Sequence, residues 1–582
     1  MTLSPTSIQA EFSATFVDEW VRAGVRHAVI SPGSRSSGIA LALLTDQRVN
    51  VSMRLDERSA AFFALGIALS TATPVVMLTT SGTAAAEVHA AVVEADLAQV
   101  PLIVVTADRP DELHGVHAPQ TIDQTNLFGG SLRYLLDLPV PTEETRAHWR
   151  SFASRLVAEA TAGAKGAGPV QANIAFREPI VGAIHAVPLG RPEGAPWHEV
   201  IHDDEAPATL SRRILDLFDS VQRAVLIVGG EEIVDSDLVL EYAQRRGWPV
   251  LSDARAIRRL QHHVLVGHAD QFLRSNAIVD ALRPELVVHV GMPHASKTLM
   301  GWNEYMSDEG VVHVFVDRFG RFGDPERVGA IFFAISPARL FRALLNSGTT
   351  PVEVESDWLE KWRRCDDAAD QAIERTLDER SISEPGVARA VFRALGEHDT
   401  LFCSSSMPIR DIEWFSAPQS SAPRVLANRG ANGIDGVISS VLGVAKASSG
   451  RTVGLVGDLA FLHDLSGLVW GTKEGVPPAT LVVIDNQGGG IFSFLDYPSV
   501  VAQTTFERGF GTPQRSSIAE VANALGCQVL LADSLATLSD SFRRSASEPG
   551  ICVVIVSTDR DENVKIHQEL AQASIEAALG VI

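Results

Sequence analysis

Short apolar runs, unbroken by polar residues, alternate with amphipathic helix-length segments along most of the chain, and this alternation restricts the fold more than any other feature. A strand that is apolar on both faces must be covered on both. In a β–α succession the covering helices are the crossovers themselves, so the pattern implies parallel sheets. The runs fall into three groups. The first holds 27–30, 74–80, 101–107 and 169–176, with helices expected over 8–23, 57–71 and 84–96. The second holds 224–230, 249–253, 285–291 and 311–317, and the third 400–405, 424–428, 452–458, 480–486 and 551–557. A Pro- and Gly-rich stretch without periodicity, 181–208, reads as a linker, and a charged helical stretch at about 335–380 precedes the third group. The expectation is an α/β protein of three doubly wound parallel-sheet domains, at 1–185, 205–345 and 380–582.

Composition narrows the ligands. The 582 residues carry a net charge of −22, and nearly all the cations are Arg. A field of that sign disfavours nucleic acid and anionic membrane surfaces, so an anionic ligand must be met by local Arg, helix N-termini or a metal. Cys365, Cys403, Cys527 and Cys552 form no CxxC pair. The N-terminus shows no leader of basic then apolar residues, and no apolar stretch reaches membrane-spanning length. A soluble cytoplasmic protein is expected, with no nucleic-acid partner and no integral membrane segment.

The strongest chemical signal lies in the third group. Asp458 ends one apolar strand in GLVGDLAFLHDLSGLVW (454–470), and Asn486 ends the next in TLVVIDNQGGGIF (480–492). Open parallel sheets bind ligands at the carboxyl ends of their strands. A carboxylate and an amide oxygen there suit a hard divalent cation that keeps phosphate oxygens in its shell. Gly488, Gly489 and Gly490 let the backbone approach such a ligand closely. In the first group Glu57 opens a helical segment, where an acidic side chain complements the helix dipole whatever else it does. His114 and His117, in a polar loop near first-group strand ends, are candidate acid–base groups, whereas His262–His263 lie away from these signals. VGGEE (228–232) follows a strand but lacks G-x-G-x-x-G, which argues against a dinucleotide site.

The paired strand ends resemble the thiamine-diphosphate signature, a G-D-G followed by N-N, with Leu459 replacing the last Gly and Asp485 the first Asn. Neither change removes a ligand. The resemblance implies thiamine diphosphate held through Mg2+ or Mn2+, with Asp458, Asn486 and the Gly488 carbonyl as metal ligands. It places Gly457, Leu459, Gly489, Ile491 and Phe492 beside the cofactor, along with Ser81 and Gly82 of TSGTA (80–84). It also implies that Glu57 meets the aminopyrimidine ring and that Ile434, in NRGANGIDG (428–436), holds the two rings in a V.

SPGSR (31–35), DERSAAFFALG (56–66), TSGTA, TADRP (106–110), QTIDQ (120–124), FREP (176–179), NRGANGIDG and GDLAFLHDL (457–465) occur in that order. Together they are similar to the menaquinone-biosynthesis branch of the thiamine-diphosphate enzymes. The implied reaction is decarboxylation of 2-oxoglutarate and 1,4-addition of the succinyl unit to isochorismate. Both substrates carry carboxylates, which Arg recognises in bidentate fashion. The resemblance places Ser34, Arg35, Arg109, Gln120, Lys297, Ser406, Arg410 and Arg429 against the substrates, with Glu57, Gln120, Arg410 and Arg429 as catalytic residues. The chain departs from the family at Pro119, where Asn is common, and at Thr298, where Arg is common. The implied domain roles are pyrimidine binding first, a structural middle and diphosphate binding last. The implied assembly is a homodimer or a dimer of dimers with active sites between chains. Two alternatives stay open: an acetolactate-synthase-like carboligase or 2-oxoacid decarboxylase, and a non-catalytic diphosphate-binding regulatory protein.

Overall fold

The computed structural model of the chain describes residues 4–201, 209–230, 236–257, 259–294, 296–347 and 357–582. Its strands form three six-stranded parallel sheets flanked by helices, the α/β architecture expected. The first sheet comprises β1 (His27–Ile30), β2 (Asn50–Met53), β3 (Val75–Thr79), β4 (Leu102–Asp108), β5 (Tyr134–Leu138) and β6 (Val170–Ala175). The second comprises β7 (Ala224–Gly229), β8 (Val250–Ser252), β9 (Leu265–Val266), β10 (Leu286–Gly291), β11 (Val312–Asp317) and β12 (Ile331–Ala334). The third comprises β13 (Thr400–Cys403), β14 (Arg424–Leu426), β15 (Thr452–Gly457), β16 (Ala479–Asp485), β17 (Gln528–Ala532) and β18 (Ile551–Ser557).

The spatial orders are β2-β1-β3-β4-β6-β5, β12-β11-β10-β7-β8-β9 and β14-β13-β15-β16-β18-β17. Numbered within each sheet, the first and third share one order, 2-1-3-4-6-5. The second has 3-2-1-4-5-6, the doubly wound order whose switch point lies between its first and fourth strands. That crevice is occupied by the chain itself: a Cβ on Gly230 would stand 2.2 Å from the Met292 Cβ. Glu231 and Glu232 of VGGEE lie outside the described residues.

Each apolar run forms a strand near its expected limits. The helix expected over 84–96 divides into Thr83–Glu87 and His89–Leu97. Residues 202–208 of the linker and 348–356 of the charged stretch lie outside the described residues. The described part of the linker is pinned to the helix Pro5–Arg22. Glu11 accepts the N–H groups of His185 and Ala186, each at 3.0 Å, and Glu19 accepts that of Trp197.

Two helices join the first and third sheets. Glu57–Thr71 follows β2, and Val437–Ala447 follows β14, the equivalent strand of the third sheet. They approach at glycines: a Cβ on Gly66 would stand 2.2 Å from the Ser440 carbonyl oxygen, and one on Gly443 2.1 Å from that of Phe63. Ser59 and Ser439, the third residue of each helix, share a hydrogen bond of 2.7 Å. One apolar core surrounds the pair and spans both sheets, fixing the helix entries where Glu57 and the 428–436 loop lie.

Candidate active site

β15 and β16 run in register, Gly457 beside Ile484, so Asp458 and Asn486 emerge together at the carboxyl edge of the third sheet. Asp458 is 5 % exposed. Its carboxylate accepts the N–H groups of Leu459 and Gly488, both at 2.7 Å. Burial, and then the neighbouring Asp485, push its pKa up to about 6. The Asn486 Nδ2 donates to Glu384 at 2.8 Å, while its Oδ1 is buried with no hydrogen-bond partner. A buried, unpaired amide oxygen costs about 1–3 kcal/mol. Beside a buried carboxylate, a cation is the group that relieves both. The Gly488 carbonyl lies in the same turn and accepts the Gly490 N–H at 2.9 Å.

The glycine run also answers a packing demand. Gly488 has φ +135°, and a Cβ there would stand 1.9 Å from the Gly511 carbonyl oxygen. The same oxygen accepts the Gly489 N–H at 2.8 Å. The turn is therefore pressed onto Phe510–Gly511, a segment without a sequence signal. Ile491 and Phe492 follow half-buried, with the Phe492 ring 5.7 Å from that of Phe510. Gly457 and Leu459 flank Asp458, also half-buried.

The adjacent carboxyl ends of β1, β3 and β4 gather a second set. Arg35 is buried and donates to the Phe176 carbonyl at 2.9 Å and to Glu178 at 3.1 Å. Arg109 donates to the Gln120 Oε1 at 3.2 Å, and its Nη1 is buried without a partner. Burial, and then Arg35, lower its pKa. Gly82, at φ +85°, would bring a Cβ within 3.2 Å of the Gln120 Cα, so glycine lets the two loops touch. Its N–H donates to Gln124 at 2.8 Å. The Ser81 hydroxyl is buried and unpartnered, and Ser34 is exposed. His114 is held in this loop, its Nε2 3.1 Å from the Arg109 carbonyl oxygen.

Glu57 is half-buried at the first position of its helix, beyond the edge strand β2. Burial raises its pKa, and the nearby Asp56 and Glu87 add to the effect. Among the described residues, no hydrogen bond or ion pair joins it to Asp458, Asn486 or Gly488 in the same chain.

A third set lies around a cleft between the second and third sheets, which Arg410 and Arg429 line. Ser406, at φ +76°, precedes the helix Met407–Phe415, and Arg410 in its first turn donates to the Ser406 carbonyl at 2.6 Å. Arg429 follows β14. Burial, and then Arg255 and Arg410, lower its pKa to about 10. Among the described residues no hydrogen bond or ion pair holds its guanidinium. Arg255, paired with Asp253 at 2.9 Å, lines the same cleft together with Glu413, whose pKa burial and Asp253 raise to about 7. Lys297 is exposed at the start of the helix Lys297–Asp308; the adjacent Ser296 lines the cleft and Thr298 turns to Asp270 at 3.3 Å.

Ile434 packs half-buried on the core between the first and third sheets. Its loop is gripped by Glu94, 2 % exposed, which accepts the N–H groups of Gly430 at 2.7 Å and Ala431 at 2.6 Å. Glu94, Glu384, Glu413 and Asp253 were not found from the sequence; the available signals were an isolated acid in an apolar segment for Glu94 and the end of a strand run for Asp253.

Three parallel sheets, the first and third of one topology with polar clusters at their carboxyl edges, are consistent with the thiamine-diphosphate enzymes as a class. The chain matches the family models for the N-terminal TPP-binding domain of thiamine pyrophosphate enzymes over residues 11–127, the middle domain over 193–403 and the C-terminal TPP-binding domain over 415–556. It is 35 % identical to the 2-succinyl-5-enolpyruvyl-6-hydroxy-3-cyclohexene-1-carboxylate synthase of Bacillus velezensis, over 97 % of each chain. The identically named proteins of Myxococcus xanthus, 36 % identical over 99 % of each chain, and Saccharopolyspora erythraea, 37 % identical over 99 % of this chain and 100 % of that one, are similarly related. The chain belongs to this synthase family, thiamine-diphosphate-dependent transferases of menaquinone biosynthesis that form a carbon–carbon bond. Among the described residues no helix is long and apolar enough to cross a membrane.

Proposed function

We propose that the protein decarboxylates 2-oxoglutarate and adds the succinyl unit in 1,4 fashion to isochorismate. Asp458, Asn486 and the Gly488 carbonyl would hold Mg2+ or Mn2+, and through it the diphosphate. The observation that carries this assignment is the unpartnered Asn486 Oδ1 beside the buried Asp458. When bound, thiamine diphosphate supplies a nucleophilic carbon and an electron sink for decarboxylation. Glu57, whose pKa burial raises, would meet the ring nitrogen of the aminopyrimidine and share a proton with it. Ile434 props the rings from a packed core, Ser81 and Gly82 line the pyrimidine side, and Gly457, Leu459, Gly489, Ile491 and Phe492 the other.

Arg410 and Arg429 take the carboxylate of the donor. Support comes from Arg429, a half-buried cation that among the described residues forms no hydrogen bond or ion pair with a carboxylate, since guanidinium bonds to carboxylates are among the stronger hydrogen bonds. Ser34, Arg35, Arg109, Gln120, Ser406 and Lys297 orient the acceptor; the bond between Arg109 and Gln120 sets those two as one unit. Thr298, turned to Asp270, contributes no second cation there. We assign pyrimidine binding to 1–185, a structural role to 205–345 and diphosphate binding to 380–582. We further assign the complete site to a pair of chains. Leu55, Val116 and Val500, at 70 %, 62 % and 71 % exposure, leave apolar surface bare beside Glu57, Gln120 and the Gly490–Phe494 turn. A reducing cytoplasm suits four buried, unpaired cysteines.

Incubation with 2-oxoglutarate, isochorismate, Mg2+ and thiamine diphosphate should yield the succinyl adduct by mass detection, with carbon dioxide released from 2-oxoglutarate and not from pyruvate. Release from pyruvate, without the adduct, would instead mark an acetolactate-type carboligase.

A further inference from the structure

Asn486 has two hydrogen-bonding ends, and its Nδ2 end is held by a buried carboxylate. Glu384 is 1 % exposed and opens the helix Glu384–Arg393. It accepts the Asn486 Nδ2–H at 2.8 Å and the Thr558 hydroxyl at 3.1 Å. The Thr558 N–H in turn donates to the Asp485 carbonyl at 3.0 Å, so Glu384, Thr558, Asp485 and Asn486 close a ring around the end of β16.

The two ends of an amide are nearly identical in shape, and packing alone does not choose between them. Burial, and then Asp411, raise the Glu384 pKa to about 7; in its ionised form it only accepts, so it admits the NH2 end and excludes the oxygen. With that contact made, the Oδ1 is left as the buried atom without a partner. Turned the other way, the amide would aim two N–H donors at the position of a cation. We propose that Glu384 is a positioning residue for the metal end of the site, holding Asn486 so that its oxygen faces the divalent ion. The proposal rests on Asn486 being a metal ligand. Such outer partners commonly govern the affinity of the ligands they orient.

The test is Mn2+ affinity, read by electron paramagnetic resonance with thiamine diphosphate present, in Glu384→Met, Glu384→Gln, Asn486→Asp, Asn486→Asp/Glu384→Met and Asp458→Ala. Glu384→Met, close in shape and only a weak acceptor, should weaken Mn2+ by about 10–100-fold. Glu384→Gln, which retains one carbonyl oxygen for the Asn486 NH2, should keep most of the affinity. In the Asn486→Asp background both ends are oxygens, so adding Glu384→Met should cost no further affinity. Where Glu384→Met does not fold, Glu384→Ser takes its place, because the water it admits accepts or donates equally and leaves the amide free to turn. Full Mn2+ affinity in Glu384→Met, or an equal loss in both backgrounds, would overturn the role of Glu384. Full affinity in Asp458→Ala would overturn the metal assignment itself.

Discussion

Arg429 and Asp458 are complementary cases of charge disfavoured by burial in the free chain, which lowers the pKa of the first and raises that of the second. Asp458 is stabilised by two backbone N–H groups, and Arg429 stands beside two further arginines. A buried charge without a partner is expensive in the free protein, and such sites recur where a ligand completes the pair. Arg429→Ala should therefore separate binding from stability. Loss of a charge-assisted contact to 2-oxoglutarate should lower kcat/KM by a factor on the order of 10–100, about 1.5–3 kcal/mol. The melting temperature should hold or rise, because a cation crowded by Arg255 and Arg410 is removed. Unchanged kinetics, or a marked fall in melting temperature, would make Arg429 a structural residue. Asp458 and Asn486 were legible in sequence because each closes a continuous apolar run, which places it at a strand end. Glu94 and Glu384 were not: their partners are remote in sequence, Gly430 and Asn486, and a lone acid in a helix carries no period that points to them.

Among the elements, the strands that no apolar run announced are β2, β5, β9, β12 and β17, and each lies at a sheet edge. An edge strand is covered less completely than a central one, so it does not need a continuous apolar run. β12 shows this most plainly, with no fully buried residue. The edge position matters for function because Glu57 follows β2. The loops were legible as motifs but not as conformations. The 428–436 loop owes its form to Glu94, which reaches it from the helix His89–Leu97. Glu94→Ala would leave two N–H groups without an acceptor, a loss of about 1–3 kcal/mol for each buried donor so orphaned. Hydrogen exchange should accelerate first in 428–436, and the KM for 2-oxoglutarate should rise because Arg429 lies in the freed segment. Exchange in that loop indistinguishable from wild type would show that other packing holds it.

For the whole molecule, the first and third sheets share a topology and are joined through the equivalent helices Glu57–Thr71 and Val437–Ala447. That joint fixes the two polar edges relative to each other without bonding Glu57 to Asp458, Asn486 or Gly488. On the proposed reading each edge is a partial site, and Leu55, Val116 and Val500 stand exposed near those segments. A two-fold pair of chains resolves both features, because an isologous contact that supplies one missing half supplies the other as well. Glu57 of one chain would then serve the cofactor bound at Asp458 of its partner. Glu57→Gln and Asp458→Ala should each be inactive alone. In a mixed dimer of the two variants, one site inherits both lesions and the other neither. Random pairing makes about half of the dimers mixed, each with one intact site, so co-expression should restore roughly a quarter of wild-type activity. Were both residues to act on the site of their own chain, every site would keep one lesion and mixing would restore nothing. No recovered activity in a preparation whose mixed dimers are verified by mass spectrometry would therefore place Glu57 and Asp458 in the same chain's site.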